Sequence, residues 1–159
     1  MVISSIMKSF CYFKIDFKRK HIIINNVKFM GCTLWSKISY NVRERGEAAF
    51  NKMRYKNKPI NYSYYNNMHD RDKKWIYDNY KSDTNTVLIT HFPIKQEFTT
   101  DPIYSNDSQE IKDVYTNSIE IQPDSDKLLY CISGHTHYNF GKKIKNTTFI
   151  SNQYGYNNK

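Results

Sequence analysis

Three of the five histidines in this 159-residue chain directly follow apolar, strand-like runs. His91 closes the run in "TVLITHFPI" (86–94), and His135 and His137 follow "LLYCISG" (128–134). Neutral imidazole is a common ligand for divalent metals. In open α/β sheets, ligands gather at the carboxyl ends of strands. If the two runs are parallel neighbours, their exit loops meet at one rim and the three imidazoles converge. In an extended His-Thr-His segment, residues i and i+2 face the same side, and Gly134 would let the backbone turn ahead of them without a Cβ clash. The spacing therefore predicts a shared metal site formed by His91, His135 and His137. His21 and His69 lack such placement, and His69 reads as a helix cap or a surface residue.

The elements that must position these groups are legible in part. "HIIINNVKFMGC" (21–32) reads as two strands, Ile22–Ile24 and Val27–Cys32, joined at Asn25-Asn26, a type I′ hairpin signal. Gly31 would allow a bulge or the close approach of another backbone. Residues 36–68 are polar and poorly periodic and predict a long loop, with a short helix around Glu44–Lys52. "HDRDKKWIYDNYK" (69–81) predicts a helix with Trp75, Ile76 and Tyr80 on one broad face, started by His69 or Asp70. Strands follow at Val87–Thr90, Leu128–Ile132 and Thr147–Ser151, with a turn around Gly141. Residues 95–126 are polar and weakly structured. A helix between buried strands predicts α/β layering.

Composition narrows the function classes. Hydrophobic residues make up 39% of the chain and include 14 tyrosines. With tyrosine set aside, the apolar share is well below the roughly 45–50% of a typical globular domain. A core this thin fits a piece of a larger domain. The length fits one domain. The net charge of +9 admits a basic nucleic-acid-binding module, with the aromatic stretch "NYSYYNNM" (61–68) as a stacking platform. The basic residues are scattered among acidic ones, however, and the abundance of Lys, Asn, Ile and Tyr follows a coding bias. Cys11, Cys32 and Cys131 form no zinc or disulfide pattern; Cys32 and Cys131 read as small buried residues. The amino-terminal stretch lacks signal-peptide features, and no apolar run approaches the ~20 residues of a membrane span. An intracellular, cytoplasmic setting is expected.

"TVLITHFPI" and "LLYCISGHTHYNFGKKIKNTTFISNQYGY" resemble the last two signatures of the calcineurin-like metallophosphoesterases, a Thr-His after one core strand and a Gly-His-x-His after the next. "VKFMGCTLWSKI" and "HDRDKKWIYDNY" resemble segments upstream of these in one branch of that family. The resemblance spans about residues 20–156. It implies a single, incomplete domain over 1–159 (residues 1–20 poorly assigned) with the carboxyl-terminal part of an α/β sandwich and a mixed sheet. It implies a metal-dependent phosphoesterase that hydrolyses phosphate esters with a metal-bound hydroxide. His91 and His135 would hold one ion and His137 the other, the ions being Mn, Fe or Zn.

The family's amino-terminal Asp-x-His, Gly-Asp and Gly-Asn-His signatures have no counterpart in the chain. Two dications ~3.5–4 Å apart repel unless anionic ligands surround them, and three neutral imidazoles supply no negative charge. One ion or none is therefore expected here, against two in the complete family site. Asp70, Asp72, Asp101, Asp107 and Asp113 read as exposed charges. The expected partners are a phosphorylated substrate and a separate amino-terminal half. No membrane is expected, and nucleic acid only as a substrate. A catalytically inactive remnant is the alternative, as is the basic module above. Asn152, Tyr154 and Gly155 would close the core near the site, Tyr154 by packing.

Overall fold

The computed structural model describes residues 18–44, 53–121 and 126–153. Six strands form one mixed sheet: β1 (Lys20–Ile24), β2 (Val27–Cys32), β5 (Thr86–Thr90), β6 (Leu128–Ile132), β7 (Phe140–Ile144) and β8 (Thr147–Ser151), in the spatial order β1-β2-β5-β6-β8-β7. The four inner strands are parallel, and the two outer ones run antiparallel to their neighbours. A small hairpin, β3 (Arg54–Tyr55) and β4 (Lys58–Pro59), stands apart. Two α-helices lie wholly within the described residues, α1 (Tyr62–Asn79) and α2 (Gln109–Tyr115), beside two 3-10 turns at Tyr40–Val42 and Pro102–Tyr104. The α/β class expected from the sequence is the class observed.

Sequence chemistry explains the strands directly. Asn25 and Asn26 take φ of 48° and 60°. Two successive left-handed residues make the type I′ turn, whose twist matches that of the strands it joins. Met30, Leu88, Cys131 and Phe149 lie in register across β2, β5, β6 and β8. All four are buried in one apolar cluster with Ile76 of α1. Trp75 and Tyr80 pack against the same cluster, as the shared helix face predicted. The continuous apolar runs of β5 and β6 thus belong to inner parallel strands.

The helix departs from expectation. It begins at Tyr62 rather than near residue 69, so part of the expected long loop is its first two turns. Neither His69 nor Asp70 caps it: Asn61 does, accepting from the Tyr64 N–H at 2.8 Å. Its buried stripe is Tyr65, Asn66, His69, Asp72 and Ile76, and the middle three are polar. These three satisfy the backbone that leaves β2. Asn66 Oδ1 accepts from the Ile38 N–H at 3.0 Å, and its amide donates to the Ile38 carbonyl at 2.9 Å. His69 Nδ1 lies 2.6 Å from the Trp35 carbonyl. Asp72 Oδ2 accepts from the Leu34 N–H at 2.8 Å, and Arg19 reaches Oδ1 at 3.3 Å. His69 and Asp72 are therefore buried, at 5% and 4% exposure, and not surface groups. A buried loop must find partners for its backbone, and the polar stripe provides them.

Smaller differences have similar causes. Gly141 lies inside β7, and the turn falls at residues 145–146, where Lys145 has φ of 51°. The expected helix around Glu44–Lys52 falls almost wholly outside the described residues, as do Cys11, Tyr154 and Gly155. Cys32 and Cys131 are buried and unpaired by disulfides, as expected. Burial pushes the Cys32 thiol up to about 12 and Cys131 upward as well, so both stay protonated. Among the described residues, no helix is long and apolar enough to cross a membrane.

Candidate metal centre

β5 and β6 are parallel neighbours, with Ile89 opposite Ile132. Their exit loops leave at the same rim. The His91 and Phe92 N–H groups both donate to the Thr33 carbonyl beyond β2, each at 3.1 Å. The Gly134 N–H donates to the His91 carbonyl at 3.0 Å. Thr90 Oγ1 donates to the Phe92 carbonyl at 2.7 Å and tightens the turn that carries His91.

This framework brings two of the three expected imidazoles into contact. His91 Nε2 and His135 Nδ1 are 3.1 Å apart, and the ring planes meet at 73°. Phe92 backs His135, with ring centroids 3.8 Å apart. Burial is the main cause that lowers the affinity of both imidazoles for protons. His91 lies below its ordinary 6.5, with nearby His137 adding to the effect. His135 is pushed down to about 4 by burial first, then by His91 and His137. Both rings are neutral at physiological pH, the form that ligates metals.

His137 stands near enough for its charge to be felt at both rings, yet it does not join them in a compact set. Among the described residues, no group of three or more His, Cys, Asp or Glu side chains is arranged to hold a metal ion. The segment is also not extended. His135 and His137 take φ of 67° and 54°, and the Thr136 N–H turns back to the Gly134 carbonyl at 2.8 Å. The left-handed region at non-glycine residues costs energy and clusters at functional sites.

Gln153, which the sequence reading missed, secures this loop. Its Oε1 accepts from the His137 N–H at 3.0 Å. Its Nε2 donates to the Tyr138 carbonyl at 3.1 Å and to Ser151 Oγ at 2.7 Å. The only hint in the sequence was its place just after the last strand, where the side chain reaches back to the rim. The neighbouring Asn152 is exposed.

The aspartates do not complete a ligand set. Asp70 is an exposed partner of Lys37, at 2.6 Å. Asp101 caps the turn at Pro102–Tyr104, and Asp113 accepts from Gln109 at 2.7 Å. Asp72 belongs to the stripe of α1 described above. Two nitrogens bound to one ion at 2.0–2.1 Å in tetrahedral geometry stand about 3.3 Å apart; the 3.1 Å between His91 Nε2 and His135 Nδ1 is a direct hydrogen-bond distance, with one ring N–H donating to the other ring nitrogen. The two imidazoles do not supply the anionic donors that a pair of ions requires. Set against family models, curated proteins and solved structures, the chain matches none of them.

Proposed function

We propose that the chain carries half of the site of a metal-dependent phosphoesterase of the calcineurin-like type. The observation that supports this reading is the 3.1 Å approach of His91 Nε2 and His135 Nδ1 at the ends of adjacent parallel strands. In this reading the chain is the carboxyl-terminal part of the metallophosphoesterase α/β sandwich, and a separate amino-terminal half supplies the carboxylates. His91 and His135 hold one divalent cation of the Mn, Fe or Zn group, and His137 faces the second position of the complete centre. Such an ion polarises a phosphoryl oxygen and lowers the pKa of a bound water. The residues of the chain do the positioning: Phe92 fixes the His135 ring, and Gln153 fixes the loop between the two histidines.

The test is metal binding by the full chain. Titration with Zn2+ is expected to give one equivalent bound, with affinity falling at least tenfold in His91→Ala and in His135→Ala. Hydrolysis of p-nitrophenyl phosphate is expected only after an amino-terminal half with the missing signatures is added. Zn2+ binding that both variants leave unchanged overturns the reading. The absence of a three-ligand cluster among the described residues favours one alternative, an inactive remnant. That alternative predicts one equivalent of Zn2+ or none, and no hydrolysis even after the halves are mixed.

A further inference from the structure

A cavity of about 410 Å3 opens beside the imidazole pair. That volume lies within the range of sites for small organic ligands. One side is His135 and Thr136; the other is the crossover between β5 and β6, through Tyr104, Asp107, Lys112 and Tyr115. The two tyrosines are 51% and 47% exposed, so much of their ring surface is open to a ligand. Tyr115 lies near-parallel to the His135 ring, at 29° and 6.4 Å between centroids. Open aromatic faces accept flat rings by stacking. Lys112 Nζ donates to the Ser105 carbonyl at 2.7 Å, an exposed bond that an anion can replace. The Asp107 carboxylate offers an acceptor for hydroxyl or amino groups.

We propose that this cavity binds the organic part of a phosphate monoester, and that its occupant is a nucleoside monophosphate. The base stacks on Tyr115 and Tyr104, Asp107 accepts from the sugar or the base, and the phosphate lies toward Lys112 and His135. As a statement about substrate, the proposal rests on the phosphoesterase reading; as a statement about binding, it stands on the cavity.

The full chain is titrated without metal against adenosine 5′-monophosphate and ribose 5-phosphate, followed by calorimetry. The nucleotide is expected to bind at least tenfold more tightly, the scale of base–aromatic stacking. Tyr115→Ala is expected to remove that preference, Tyr115→Phe to keep it, and Lys112→Gln to weaken the nucleotide while sparing adenosine. Tyr115 is exposed, so these variants should fold, which their circular dichroism verifies. Equal affinity for the two phosphates, or nucleotide binding untouched by Tyr115→Ala, overturns the proposal. Zn2+ titration of the same preparations separates the two readings. Nucleotide binding without Zn2+ binding keeps the cavity and removes the hydrolase. Zn2+ binding without nucleotide preference does the reverse.

Discussion

Gly134 has no left-handed backbone, whereas His135 and His137 after it do. A Cβ added at Gly134 would meet Gln153 Oε1, His91 Nδ1 and the His91 carbonyl oxygen, all at 3.7 Å, which is ordinary contact. The turn therefore does not depend on glycine, contrary to the reading of the sequence. Gly134→Ala is expected to fold with stability within about 1 kcal/mol of the parent; a loss of several kcal/mol in urea denaturation would contradict this. Asp72 is the opposite case. Removing its carboxylate leaves the buried Leu34 N–H without its acceptor, so Asp72→Ala should cost about 1–3 kcal/mol. Asp72→Asn keeps an acceptor oxygen and should cost less in the same assay. His69 sets a pH dependence. Burial holds its pKa below 6.5, against the opposing pull of the Trp35 carbonyl and Asp70, while Lys37 and Lys73 add to the lowering. Just below 6.5 the unfolded chain takes up a proton that the folded chain refuses, so stability rises with pH there. Stability should be complete above that value and decline below it, and His91 and His135 act in the same direction. The melting temperature should fall between about pH 7.5 and about pH 5, and His69→Gln should flatten part of that slope.

Strands were the most legible elements. The apolar runs of β2, β5, β6 and β8 sit in inner positions, and Asn25-Asn26 dictates its own turn. β7 was not legible, because its residues alternate poorly: Phe140, Gly141, Lys142, Lys143 and Ile144 are all half-buried or exposed. The start of α1 was hidden for another reason. A helix normally announces itself by an apolar stripe, but here Asn66, His69 and Asp72 occupy that stripe and serve the β2 exit loop. Polar residues that face a buried backbone look the same in sequence as polar residues that face water. For the same reason Tyr65 was read as a possible base-stacking group. In the structure it is buried, with its hydroxyl 3.0 Å from Ser36 Oγ. The cross-strand row through Leu88 should be the most sensitive part of the sheet. Leu88→Ala is expected to lose roughly 2–5 kcal/mol of stability, measured by chemical denaturation.

Across the molecule, the two outer strands of the described sheet differ in character. β7 carries Lys142 and Lys143, charges that discourage edge-to-edge pairing. β1 presents Ile23 and Ile24, which are 65% and 48% exposed. Ile23→Lys is therefore expected to raise the concentration at which the chain stays monodisperse in light scattering; an unchanged threshold would place the association elsewhere. At this scale the sequence disclosed that His91 and His135 leave neighbouring parallel strands, since each followed a strand-like run. It did not disclose how they meet, because that depends on left-handed turns and on Gln153, neither of which has a periodic signature.

The two contacting imidazoles are 44 positions apart in the chain, and a side chain beyond the last strand fastens the loop that presents one of them. Their contact requires the 44-position separation to close and the parallel strands β5 and β6 to align, the kind of distant pairing that slows folding. In the proposed centre, a bound cation would therefore report that both loops have reached their places at once.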